Sequence, residues 1–288
     1  MLWLLLSISA ALTHASQDVL LKRHLKSLTL NEVTTALFIF AAPFLCIAAL
    51  LQPIPAIGPA FFPALLADIP IDCLAALLYL RALKESDLSL CAPLISFTPL
   101  FMLISSPLIT GEFPGIAGLT GVVLIVTGSY LLNIKERSRG LLEPFKALLR
   151  QRGPRYALLT ALFWSITSNF HKVGLQNSSP LFWSASVTTG IALTLTIIMI
   201  LTSSGRLSII IRQVALLLPL GVLAAWTISA PIVAMKFTLA AYAISVKRLS
   251  IIISVFFGHR FFSEENLGTR LLAAACMLLG VILIAVIG

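Results

Sequence analysis

Charge is scarce in this chain. Only 11% of its 288 residues are Asp, Glu, Lys or Arg, while 59% are hydrophobic. A soluble domain carries roughly 25% charge. The shortfall excludes a soluble enzyme, a disordered chain and a nucleic-acid-binding domain. Cysteine is sparse too. Cys46, Cys73, Cys91 and Cys276 fall one to an apolar segment with no Cys-x-x-Cys spacing, so neither a disulfide framework nor a zinc site is expected. There is no Walker loop and no nucleophile elbow. His14, His24, His171 and His259 are scattered and make no metal motif. No cofactor, no metal and no catalytic residue is therefore expected, and no stretch is polar enough to form a separate soluble domain.

Long apolar runs fill the chain instead. A membrane-spanning helix needs about 20 apolar residues. Ten such segments are legible, at 2–21, 31–51, 60–83, 88–110, 114–132, 155–173, 180–202, 214–235, 238–258 and 267–287. Pro and Gly mark several breaks, as at Gln52-Pro53-Ile54-Pro55, Gly111-Glu112-Phe113-Pro114 and Gly153-Pro154. Backbone facing lipid must satisfy its own hydrogen bonds, so each span should be a helix. Alternating ten-residue strands of a barrel are absent from the pattern.

The first segment imitates a signal peptide, being apolar and ending in small residues. It lacks a basic start, however, and it has an internal copy. Ala11-Leu12-Thr13-His14-Ala15 and Lys22 align with Ala161-Leu162-Phe163-Trp164-Ser165 and Lys172 at an offset of 150. Further on, Lys84, Glu112 and Gly128 align with Lys236, Glu264 and Gly280 at an offset of 152. The expected fold is an all-α polytopic membrane protein with ten transmembrane helices in two inverted five-helix repeats. The expected organisation is a first repeat at 1–134, a basic connection at 135–154 and a second repeat at 155–288. An odd helix count makes the second copy enter from the opposite side, and such repeats place a substrate site at their interface.

The net charge of +9 is an orientation signal here. Sixteen of the twenty Lys and Arg lie at the ends of odd-numbered spans, seven of them between Lys135 and Arg155. The positive-inside rule then puts that connection in the cytoplasm and both termini outside, in a plasma (inner) membrane.

Several residues together carry a resemblance. Tyr79-Leu-Arg-Ala-Leu-Lys84, Ala92-Pro93, Pro99 and Gly111-Glu112 look like the signature of the drug/metabolite transporter superfamily, EamA-type. Met235-Lys236, the 242–248 stretch, Ser254, Glu264 and Gly280 repeat it loosely. The resemblance implies an alternating-access carrier of small metabolites. Several branches of that superfamily have cytoplasmic termini, against the charge count. Val246-Lys247-Arg248 followed by Ile251, Ile253 and Ser254 resembles the ninth helix of the triose-phosphate and nucleotide-sugar branch, where a Lys-Arg pair contacts phosphate. That branch also uses a lysine on the fourth helix, four before the proline. Here that position is Ile95, which argues against transferring sugar-phosphate specificity.

The residues themselves make four candidate groups. Lys247 and Arg248 fall mid-span, where each costs about 2.5–3.5 kcal/mol on insertion scales. They must face a wet cavity, where they would bind an anionic group, or pair with acids in a structural bridge. Asp68 and Asp72 lie four apart on one helix face. Close carboxylates in a low dielectric rarely both ionise, which suits proton coupling; the competing reading is a bridge to Lys247 or Arg248. His14, Gln17 and Asp18 share a face of the first span, and Trp164, Thr167, Ser168 and His171 share the matching face of the sixth, either as cavity lining or as polar glue. Asp18 is a further proton-coupling candidate, or else an i,i+4 partner of Lys22. Trp226 and Tyr242 could stack on a substrate; Tyr79 and Trp183 are weaker candidates, since aromatics near span ends are more often interfacial anchors. Glu112 and Glu264 are expected to cap the fifth and tenth helices, and Gly115, Gly118, Gly121 and Gly128 to let those two helices pack closely.

The expected function is secondary transport of a small polar metabolite bearing an anionic group. The alternative is export of amino acids or amphiphilic cations by proton antiport through an intramembrane Asp. A channel, a membrane enzyme and a non-transporting assembly subunit are more remote. The expected partners are the substrate, the lipid bilayer and a proton or counter-substrate; nucleic acid is not expected, and a homodimer stays open.

Overall fold

The computed structural model describes residues 1–113, 115–131, 149–202, 207–264 and 267–287. Among them there is no strand. The helices are α1 Leu2–His24, α2 Leu30–Leu50, α3 Phe61–Glu85, α4 Leu88–Ile95, α5 Phe97–Ile109, α6 Ile116–Leu131, α7 Arg152–Gln176, α8 Pro180–Thr202, α9 Leu207–Arg212, α10 Val214–Ala234, α11 Ala240–Lys247, α12 Ser250–Phe262 and α13 Leu267–Ile287. Most of the expected basic connection, 135–148, lies outside the described residues.

Counting α4–α5 and α11–α12 as one path each, seven described segments are long and apolar enough to cross a membrane. The other expected spans are α6, α7 and α13. Helix α7 misses by hydropathy, because Thr160, Ser165, Thr167, Ser168, Asn169, His171 and Lys172 interrupt its apolar run. That polar run is where the helix meets the interior.

The two expected single helices at 88–110 and 238–258 are each broken. Pro99 has no N–H to give Ile95, four residues back. The freed Ile95 carbonyl accepts the Thr98 hydroxyl instead, at 2.7 Å, and the path bends at Ser96. The second break falls at Arg248 and Leu249, where Arg248 N–H donates to the carbonyls of Ile244 and Ser245. No proline explains it. Broken helices are tolerated at membrane depth only inside protein or beside a wet cavity.

The repeat is visible in how the helices pair. The most extensive contacts are α6 with α13, α3 with α7, α2 with α8 and α1 with α10. Exchanging each helix for its repeat mate maps α3–α7 onto α10–α1 and leaves α2–α8 and α6–α13 unchanged. This is the pattern of a pseudo-two-fold axis between the halves. On that axis Gly128 faces α13 so closely that a Cβ would lie 2.5 Å from Met277 Cγ and 2.7 Å from the Ala273 carbonyl. Gly121 is buried, whereas Gly115 is exposed and precedes the helix.

Glu112 and Glu264 cap helices, though not α6 and α13 as expected. Glu264 accepts the N–H groups of Leu88 and Ser89, both at 2.8 Å, at the start of α4. Glu112 accepts the Ala240 N–H at 3.0 Å, at the start of α11. Each acid follows the broken path of one repeat and caps the broken path of the other. A carboxylate at a helix N-terminus meets otherwise unpartnered amides and the positive end of the dipole. Each also holds the lysine of its target repeat's first helix, Lys22 to Glu264 at 2.6 Å and Lys172 to Glu112 at 3.2 Å. Lys22 is thus the partner of Glu264 and not of Asp18.

Candidate functional site

The break in the ninth span borders a central cavity of about 110 Å³. Its walls come from both halves: α1, α2 and α3 of the first, α7, α10 and α11 of the second, and Arg248 at the break. His14, Gln17, Asp72, Trp164, Ser168, Lys247 and Arg248 line it together. Adjacent helical residues point about 100° apart, yet the helix ends at Lys247, and both cations reach the same space.

Neither cation has a carboxylate within ion-pair reach among the described residues. Lys247 donates to the Thr227 carbonyl at 3.0 Å. Arg248 donates one Nη2 hydrogen bond to Thr98 Oγ1 at 2.9 Å, and its guanidinium lies 5.3 Å from the Trp164 ring centre. Its Nε and Nη1 have no hydrogen-bond partner, although the residue is only 3% exposed. A buried guanidinium with two idle nitrogens is costly unless something fills the fork. The Pro99 break matters here, because the hydroxyl that satisfies Ile95 also positions Arg248.

Asp18 is engaged. It accepts the Tyr79 hydroxyl and the Ser254 hydroxyl, the latter at 2.9 Å, and it borders a small void beside the cavity that Arg248 and His14 also touch. His14 lies 3.3 Å from Ser250 Oγ through Nδ1 and 3.8 Å from Asp18 Oδ1 through Nε2. Its ring stacks 6.0 Å from Tyr79, which in turn lies 4.9 Å from Trp164. These rings form one aromatic wall beside the guanidinium. Thr98 and Thr227 gained their importance only from three-dimensional placement, whereas Tyr79 already stood among the aromatic candidates. Tyr79 belongs to the sequence signature, but Thr227 contributes a backbone carbonyl, which no side-chain pattern reveals.

Asp68 is fully buried one turn from Asp72, and neither of its oxygens has a hydrogen-bond donor. His171 Nδ1 is 3.4 Å away. The sequence offered no metal motif, since His171 is about one hundred residues from these acids; the structure gathers the three on α3 and α7, with one ligand atom from each within 4.8 Å of the others.

Two expected substrate contacts lie elsewhere. Trp226 is 46% exposed on α10 and donates its indole N–H to Ser9 Oγ at 3.0 Å. Tyr242 is buried in α11 and is not among the cavity's lining residues. Trp183 packs against Gly174, where a Cβ would come within 2.0 Å of the indole, and donates to His171 Nδ1 at 3.1 Å.

An all-helical, two-repeat membrane protein with a polar cavity at the repeat interface is the architecture of a carrier. The chain belongs to the EamA-like transporter family, whose model matches residues 1–134 and 151–286. It is thus a membrane transporter of the drug/metabolite type. No curated protein matches the sequence. Among solved structures, one titled only "Crystal structure of protein" aligns with a TM-score of 0.65 over 98% of this chain and 95% of that one, at 17% identity. That likeness concerns the fold alone.

Proposed function

We propose that this transporter moves a small polar metabolite bearing an anionic group, by alternating access about the central cavity. The observation that carries the reading is Arg248, a buried guanidinium with two unfilled nitrogens facing that cavity beside Lys247. A carboxylate or phosphate supplies two acceptors in the geometry a guanidinium prefers. His14, Gln17, Trp164 and Ser168 would line the substrate's other faces. The plasma membrane is the proposed site of action.

The two Lys–Glu bridges supply the moving parts of this reading. Each ties the halves together at the mouth of a broken path, and inversion sets them at opposite faces of the bilayer. Release of one with retention of the other would open the cavity to one side. Differential affinity of substrate for the two states would drive the exchange.

A second reading is export of amino acids or cations against protons. It is favoured by Asp72, a carboxylate in the same cavity. A ligand thermal-shift screen of the detergent-purified protein separates the two. Ligand bound only to the native state raises its stability with concentration. Phosphorylated or carboxylated compounds should stabilise the parent and not Arg248→Ala. If cations or amino acids stabilise both proteins equally, the anion reading fails.

A further inference from the structure

Asp68 has no role in anion recognition, and its surroundings are chemically incomplete. The side chain is fully buried on α3, and no donor reaches either oxygen. The nearest ring nitrogen is His171 Nδ1 at 3.4 Å, but that nitrogen already accepts the Trp183 indole N–H at 3.1 Å. With Asp68 ionised, acceptor therefore faces acceptor. Asp72, one turn away on the same face, adds a second carboxylate. Lys247 interacts electrostatically with Asp72, while its hydrogen bond goes to Thr227. What Asp68 itself lacks is a donor or a cation on either oxygen.

We propose that Asp68, Asp72 and His171 hold a first-row divalent cation between α3 and α7. Two carboxylates neutralise a charge of two. An imidazole nitrogen among the donors favours ions such as Mn²⁺ or Zn²⁺ over Na⁺, Mg²⁺ or Ca²⁺, which take oxygen ligands. A tetrahedral ion with bonds of about 2.1 Å sets its ligands about 3.4 Å apart. Asp68 Oδ2 and His171 Nδ1 already stand at 3.4 Å. Asp72 and His171 both border the cavity, so the site would adjoin it. The ligands come from both repeats, so an occupied site clamps α3 to α7 and favours the conformation in which those helices touch. This site stands independently of the anion reading, and the probes differ.

The test titrates chelator-treated, untagged full-length protein in detergent with MnCl₂ or ZnCl₂, with NaCl and MgCl₂ as parallel arms. Thermal stability should climb with Mn²⁺ or Zn²⁺ concentration. Asp68→Asn and His171→Gln should each weaken the apparent affinity by about 100-fold or more, beyond the usual loss for an outer-shell partner. The cation competes with the Trp183 indole for Nδ1, so tryptophan emission should shift on addition and the shift should vanish in Trp183→Phe. If Asp68→Asn does not fold, His171→Gln and the emission change decide. No response to either metal overturns the site, as does an equal response in His171→Gln or a response to Na⁺ alone.

Discussion

Lys22 on the first helix and Glu264, 242 residues later, stand 2.6 Å apart, and the same Glu264 carboxylate accepts the first amides of α4. The Ser89 hydroxyl also donates to it, and Arg270 lies 3.5 Å away while bridging to Asp87 at 2.8 Å. One acid thus joins α1, α4 and α13. Burial alone would lift the Glu264 carboxyl, but the Lys22 ammonium and the Ser89 hydroxyl and amide outweigh it and hold it below its usual range.

Glu264→Gln should therefore destabilise the protein by about 1–3 kcal/mol at neutral pH, the typical cost of weakened charged hydrogen bonds. Because the folded group titrates below the unfolded one, its contribution is present above the usual carboxylate range, about pH 4, and is lost as pH falls through the lower folded value. Thermal melts across pH 3–7 should show the difference between parent and Glu264→Gln narrowing only at the acidic end. A difference that persists unchanged at the lowest pH would contradict the assignment.

The two bridges should act on opposite faces. In a background with Cys46, Cys73, Cys91 and Cys276 replaced by Ser, a Ser168→Cys probe reports access to the cavity. Glu264→Gln should raise its labelling by an impermeant maleimide from one side of the membrane, and Glu112→Gln from the other. Equal sidedness in the two variants would remove the gating role.

Thr98 is the only hydrogen-bond partner of the Arg248 side chain among the described residues. Thr98→Val should cost roughly 1–3 kcal/mol of stability by leaving that guanidinium less satisfied. An anionic ligand should restore more stability in this variant than in the parent, since the ligand fills the vacancy. An identical ligand-induced shift in both would detach Thr98 from the site.

Arg248→Lys should keep the charge but weaken binding of carboxylates or phosphates by about tenfold or more, because a point ammonium replaces a two-pronged donor. Lys247→Ala should reduce affinity without altering which anions are preferred. Isothermal titration with a ligand taken from the screen measures both. Unchanged affinity in Arg248→Lys would show that the fork is not used.

Much of the architecture was legible because bilayer thickness imposes a length on every helix and because the duplication left Lys22, Lys172, Glu112 and Glu264 at fixed offsets. Those same offsets could not reveal that each Glu crosses to the other repeat, since partner choice depends on packing. The expectation that Lys247 and Arg248 face a cavity rested on the expense of buried charge, and the cavity is where they lie. The break at Arg248 has no proline to announce it, so the angle that lets both cations share one space was invisible. Trp226 failed to reach the interior because an amphipathic ring mid-helix has two stable homes, and a sequence does not say which. His171 was overlooked beside Asp68 and Asp72 for a simpler reason: helices from different repeats meet only in space.

The exchanged caps have a consequence for the order of biosynthesis. Leu88 and Ser89 are inserted early, but the side chain that covers their amides belongs to residue 264. At about 5–20 residues per second, roughly nine to thirty-five seconds separate the two. During that interval the nascent first half has a membrane helix with an unmet terminus and a lysine without its acid. The second half, by contrast, finds Glu112 already waiting when Ala240 and Lys172 emerge. Two halves that mirror each other in space are therefore unequal in time, and a nascent chain arrested between them would leave the first half's lock open.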